Sequence, residues 1–160
     1  AAEQRQRCQR RLRRRVEQFE QRGQPAEAVP APEPKEVPSS SPAEEHNKRG
    51  NELFESEDYE GAIREYWAAV ELEPNNSAYH CNLGMAYDEA DRDDEALAEY
   101  RKALELDPND ITALLSIGYI HSENDQPEEA RAAWNRVLQI APDSAEAQEV
   151  KQNLQHQGEL

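Results

Sequence analysis

Cysteine is scarce in this chain of 160 residues: only Cys8 and Cys81 occur. Two isolated thiols cannot make a disulfide framework or supply paired metal ligands. A reducing compartment, the cytoplasm, is therefore the expectation. Long apolar runs are missing too. Nothing approaches the ~18 apolar residues that a membrane-spanning helix needs, and the basic start has no apolar stretch of the kind found in a secretory signal. Hydrophobic residues are 36% and charged residues 32% of the chain, too polar a mixture for one core that uses the whole length. The phosphate-cradling patterns G-x-G-x-x-G and P-loop do not occur, and neither does G-x-S-x-G. The histidines His46, His80, His121 and His156 include no pair four apart, so a helical zinc site of the H-E-x-x-H type is excluded. "DRDDE" at 91–95 is acidic but has neither the oxygen spacing nor the Gly of a calcium loop. It reads as an acidic helix start that complements the helix dipole. No catalytic residue, metal or cofactor is expected.

Charge is abundant, and it is unevenly placed. The formal net charge is −16. Residues 1–22 carry eight Arg against Glu3, Glu17 and Glu20, a net of +5, while residues 43–160 carry −19. Such asymmetry speaks of partners more than of fold. Within 3–22 there is no Pro or Gly, and Cys8, Leu12, Val16 and Phe19 recur at helical spacing. The spacing predicts a basic amphipathic helix, with Arg7, Arg10, Arg11 and Arg14 around the apolar stripe. Residues 23–42 hold six prolines. They predict an extended linker that reaches roughly 60 Å at ~3.1 Å per residue.

The rest of the chain repeats itself. "ELEPNN" (71–76), "ELDPND" (105–110) and "QIAPDS" (139–144) stand 34 residues apart. In rows starting at Ala43, Ser77 and Ile111, Gly50, Gly84 and Gly118 share a column. So do Ala62, Ala96 and Ala130; Tyr66, Tyr100 and Trp134; Ala69, Ala103 and Val137; and Pro74, Pro108 and Pro142. The small residues suit close helix crossings, the aromatics fill space between units, and the prolines end a helix and turn the chain. Ser41 with Glu44 predicts a capping box, Asn76 and Asp110 predict N-caps, and Asp143 with Glu146 predicts a capping-box-like start for a last helix. Helices are predicted over 43–56, 59–72, 77–90, 93–106, 111–124, 127–140 and 145–157. Trp67, next to the packed Tyr66, is expected on the outer face of its helix.

These columns, with Leu83, Ile117 and Tyr87, resemble three tetratricopeptide repeats. The resemblance departs at Arg49, which stands where Leu83 and Ile117 stand, and at Asp93 and Pro127, which stand where Tyr59 stands. It implies an all-α fold, a right-handed α-solenoid of helix–turn–helix repeats, with a separate N-terminal amphipathic helix. The divisions are 1–22 (basic helix), 23–42 (linker), 43–76, 77–110 and 111–144 (repeats), and 145–160 (capping helix and tail).

The resemblance further implies a concave groove lined by each first helix, and a non-enzymatic adaptor that binds a peptide or helix of a partner within a multiprotein assembly. The groove residues it selects are Asn47, Asn51, Phe54, Glu55, Asn82, Met85, Asp88, Glu89, Leu115, Tyr119 and Glu123. The Asn side chains suit a peptide backbone. Phe54, Met85, Leu115 and Tyr119 are expected to be partly exposed in an empty groove, and the acids to make one flank negative. Some members clamp the terminal carboxylates of chaperones with Lys and Arg plus two Asn. Asn51 and Asn82 match the Asn positions, but Asn47, Thr112 and Ser116 stand at the basic ones, which disfavours that ligand. The expected partner is a protein or peptide, basic and amphipathic. The chain's own residues 1–22, through Arg7, Arg10, Arg11, Leu12, Arg14, Val16 and Phe19, could serve in cis or in trans. The competing expectation anchors that helix to nucleic acid or an acidic membrane while the body recruits a protein. Arginine forks suit phosphate, but Phe19 is the segment's lone aromatic and the apolar stripe is thin.

Overall fold

The computed structural model describes residues 40–157. The basic helix expected over 1–22 and nearly all of the linker lie outside the described residues. The described residues belong to one compact unit. It contains α1 (Pro42–Glu55), α2 (Tyr59–Leu72), α3 (Ser77–Glu89), α4 (Asp93–Leu106), α5 (Ile111–Glu123), α6 (Pro127–Ile140) and α7 (Ala145–Gln157), and no strand occurs among the described residues. Each helix boundary falls within a residue of the range that the spacing predicts.

Local chemistry sets the helix starts. The Ser41 hydroxyl accepts from Glu44 N–H at 3.2 Å, and the Glu44 carboxylate accepts from Ser41 N–H at 3.3 Å. With Pro42 in the first turn this is the expected capping box. Asn76 and Asp110 cap α3 and α5 as expected, and Asp58 caps α2 through Gly61 N–H at 2.9 Å. The start of α7 differs from expectation. Ser144, not Asp143, accepts from Ala147 N–H, at 3.1 Å. The helix begins at Ala145, so Ser144 is the residue in capping position.

The turn inside each hairpin uses a feature the repeat columns did not flag. Glu57, Asp91 and Asp125 all have positive φ, between 55° and 64°. They are 34 residues apart. After each, an amide closes back on the preceding helix: Asp58 N–H to Leu53 C=O at 2.9 Å, Arg92 N–H to Tyr87 C=O at 2.9 Å, and Gln126 N–H to His121 C=O at 2.8 Å. This six-to-one closure satisfies carbonyls that a helix end otherwise leaves bare.

Within each hairpin the glycine column meets the aromatic column. A Cβ on Gly50 would lie 2.5 Å from the Tyr66 ring, and one on Gly84 would lie 2.9 Å from the Tyr100 ring. Gly118 faces the Trp134 indole in the same way. These rings are almost wholly buried, as are Ala62, Ala96, Ala103, Ala130 and Val137. One cluster of buried residues runs from Phe54 through Leu83, Ala86 and Tyr100 to Ile120. A second joins Leu114, Trp134 and Val137 to Val150 of α7, which covers the last hairpin. Successive helices in the order α1 to α7 pack against one another, and α3 also touches α5.

A repeated histidine–glutamate hydrogen bond joins the two helices of each of the first two hairpins. His46 Nδ1 lies 2.7 Å from Glu65 Oε2, and His80 Nδ1 lies 2.7 Å from Glu99 Oε2. His80 is more deeply set, with its side chain 7% exposed against 32% for His46. Its Nε2 also meets the Pro74 carbonyl at 2.9 Å, so the ring holds together a hairpin and the turn that precedes it.

Candidate peptide-binding surface

The alternate helices α1, α3, α5 and α7 form one layer. The Asn82 amide donates to Asn47 Oδ1 at 2.8 Å, which joins α3 to α1. Contacts join α3 to α5, and Asn153 Nδ2 donates to the Tyr119 hydroxyl at 3.4 Å, which joins α7 to α5. All eleven residues assigned to the groove belong to α1, α3 or α5, and neighbouring helices bring several of them together.

The second helices fix this surface from behind. The Tyr66 hydroxyl of α2 donates to Asn51 Oδ1 at 2.8 Å, and the Tyr100 hydroxyl of α4 donates to Asp88 Oδ2 at 3.4 Å. Each aromatic therefore fills the hairpin and also orients a groove residue. The sequence expectation was different: it set these rings in the space between successive units, and foresaw neither the contact with the glycine of their own hairpin nor the hydroxyl bonds. The clue was the choice of Tyr over Phe in a column where volume alone would accept either. Burial pushes the Tyr66 phenol well above the ordinary tyrosine value, and the charge of Glu55 adds to this.

Asn47, Asn51, Asn82 and Tyr119 are half-buried. Tyr119 meets Trp134 edge-on at 5.6 Å between centroids. The expectation that Phe54, Met85 and Leu115 would be partly exposed is corrected, because all three are buried. Phe54 and Met85 belong to the main core cluster and Leu115 to the second. Phe54 also packs edge-on against Tyr59 at 5.4 Å.

The acidic residues separate into two kinds. Glu55 and Glu123 are exposed. Asp88 and Glu89, adjacent on the last turn of α3, are only 3% and 6% exposed. Cys81 and Ser116, on the same layer, are also buried. Neither α3 nor α5 contains a Lys or Arg. Trp67 is 48% exposed on α2, as expected for the outer face. Among the described residues, no group of three His, Cys, Asp or Glu could hold a metal ion, and no helix is long and apolar enough to cross a membrane.

Helical hairpins with one small–aromatic contact each, stacked so that alternate helices share a layer, define a solenoid repeat protein. The comparisons agree with that class. A family model described as "TPR repeat" matches residues 50–91, and two described as "Tetratricopeptide repeat" match 77–110 and 94–154. The chain belongs to the tetratricopeptide repeat family. It is 40% identical over 58 residues to serine/threonine-protein phosphatase 5 of Rattus norvegicus, covering 36% of this chain and 12% of that protein. It is 40% identical over 58 residues to small glutamine-rich tetratricopeptide repeat-containing protein alpha of Homo sapiens, covering 36% of this chain and 18% of that protein. The likeness thus spans less than a fifth of either relative. Among solved structures, the first TPR of Spaghetti (RPAP3), bound to the HSP90 peptide SRMEEVD, superimposes with a TM-score of 0.65 at 25% identity. That match covers 72% of this chain and 95% of that domain.

Proposed function

We propose that the protein is a non-enzymatic adaptor whose layer of first helices binds a peptide or helix of a partner protein within a multiprotein assembly. The observation that carries this reading is the linked set Asn47–Asn82 and Asn51–Tyr66. Amide side chains from two successive hairpins are held in fixed orientations on one surface. Such amides donate and accept along an extended backbone without choosing its side chains. The phosphatase likeness supports the adaptor reading and not an activity, because it is confined to a short part of that enzyme. A reducing, cytoplasmic setting suits Cys81, a buried thiol outside any disulfide.

The reading is tested by selecting peptides from a random display library with the full chain. Enriched peptides should bind about five- to 150-fold more weakly to the Asn51→Ala, Asn82→Ala double variant, since two hydrogen-bonding side chains at ~0.5–1.5 kcal/mol each are removed. Peptides that bind both proteins equally would refute it.

A second reading, a chaperone tail as ligand, is favoured by the likeness to the domain bound to SRMEEVD and by Asn51 and Asn82. Against it stand the uncharged Asn47, Thr112 and Ser116. The comparisons lend no support to setting that ligand aside. Direct titration of SRMEEVD decides: micromolar binding that is lost in the same double variant would establish it.

A further inference from the structure

We propose that the outer face of α2 is a second interaction surface, and that its partner is the same face of another copy of the chain. This face lies outside the groove and shares none of its residues. Trp67 and Leu72 are the exposed large apolar side chains among the described residues, at 48% and 52%. The repeat requires neither exposure. Trp67 shares its column with Arg101 and Asn135, both polar and exposed. Leu72 shares its column with Leu106 and Ile140, both half-buried. Singly exposed apolar residues are ordinary, but two on the outer side of one helix, one of them a tryptophan, mark a contact.

Charge says what the partner is. At ~3.6 residues per turn, Arg64 and Glu71 fall on one line along α2, with Trp67 on one side of it and Ala68 and Leu72 on the other. Both charged residues are exposed. Among the described residues neither forms an ion pair, whereas at the next second helix Arg92 pairs with Glu95 and Lys102 with Glu105. One cation and one anion on a single line make the face complementary to itself. Set against an antiparallel copy, with the twofold axis passing between Trp67 and Ala68, Arg64 meets Glu71 of the other copy and Glu71 meets its Arg64. The same axis brings the two Trp67 rings together and lays Leu72 over the other copy's first turn. The equivalent lines on α4 and α6 read Ala98 with Glu105 and Ala132 with Gln139, so the other two hairpins lack the pattern. The face is one helix wide and about 20 Å long. That is the small end of interface sizes, so the dimer is weak, with a dissociation constant on the order of 10–100 µM. The contact leaves the layer of first helices open, and the pair presents two grooves at once.

Sedimentation equilibrium of the full chain over about 1–500 µM tests this, and a monomer–dimer equilibrium is expected. Trp67→Ala should weaken it about tenfold or more, because the ring counts twice across the axis. Arg64→Glu and Glu71→Arg should each weaken it at least about fivefold, since each sets like charges together at two places. The variant carrying both changes should recover the parent's association to within about twofold. Mixed in equal amounts, the two single variants should pair with each other more tightly than either does with itself. Arg131→Glu on α6 makes the same change in net charge as Arg64→Glu and should alter association by less than about twofold. Circular dichroism checks the fold of each variant; should Trp67→Ala not fold, the charge exchange decides alone. The proposal is overturned by a monomer at every concentration, by dimerisation that a folded Trp67→Ala leaves intact, or by an exchanged variant that stays as weak as its single parents. None of these results touches the groove reading, which peptide binding decides separately.

Discussion

Replacing Gly84 by Ala isolates what holds one hairpin shut. The new Cβ would sit 2.9 Å from Cδ1 and Cε1 of Tyr100, where ordinary carbon contacts need about 3.5–4.0 Å. Tyr100 has no free room: it is fully buried, and its hydroxyl donates to Asp88. Overpacking of this kind costs about 1–3 kcal/mol, while Ala in place of Gly inside a helix returns about 1 kcal/mol. The net expectation is a loss of about 1 kcal/mol, or roughly 4 °C in Tm for a unit of this size. The decisive number is the coupling. In a Tyr100→Leu background the ring is gone, so the same Gly84→Ala change should stabilise by about 1 kcal/mol through propensity alone. A double-mutant cycle by urea denaturation should therefore give a coupling of about 1–3 kcal/mol. Gly61→Ala probes a different contact, because its Cβ meets the Asp58 carboxylate that caps α2, so its effect, whatever its size, should be the same in both backgrounds. Equal effects of Gly84→Ala in both backgrounds would refute the small–aromatic contact as the determinant of hairpin closure.

The other predictions concern the turns, the histidine–glutamate contacts and alkaline pH. Glu57→Gly should stabilise by up to about 1 kcal/mol, since its φ of 64° strains any residue with a Cβ; Glu57→Val should destabilise, and thermal melts of both variants check the sign. His80→Ala should cost about 1–3 kcal/mol more than His46→Ala, because His80 is buried with two partners and His46 is not; chemical denaturation measures the difference. Burial raises the Tyr66, Tyr79 and Tyr87 phenols from 10.0. Above pH ~10 the unfolded chain therefore loses protons that the folded one keeps, and stability falls as pH rises through that range. Comparing unfolding free energies at about pH 9 and pH 11, with Tyr66→Phe showing a smaller fall, tests this.

The helices were readable because Pro74, Pro108 and Pro142 mark every seam and Gly50, Gly84 and Gly118 every crossing. The period supplied the register, so boundaries followed. Depth was not readable in the same way. Spacing shows which face of α3 carries Met85, but not how far neighbouring helices close over it. Glu57, Asp91 and Asp125 hid the left-handed turns, since no glycine announced them. The histidine column was visible at His46 and His80, whereas Glu65 and Glu99, nineteen residues further on, became partners only once the two helices packed side by side. The cap of α7 was misplaced by one residue, because Asp143 and Ser144 are equally good acceptors in sequence and only the start of the helix chooses between them.

The seam at Asp110 and Ile111 has a consequence for growth. There a capping aspartate closes one hairpin and opens the next, and Asn76 does the same one unit earlier. A duplicated copy of residues 77–110 spliced at that junction would keep its trailing edge against Ile111, while its leading edge would meet a twin in which Cys81 stands where Asn47 bonds Asn82. The array can therefore lengthen by whole modules while its ends stay as they are, and gene duplication would leave a single new seam, between the twin copies, to be adjusted.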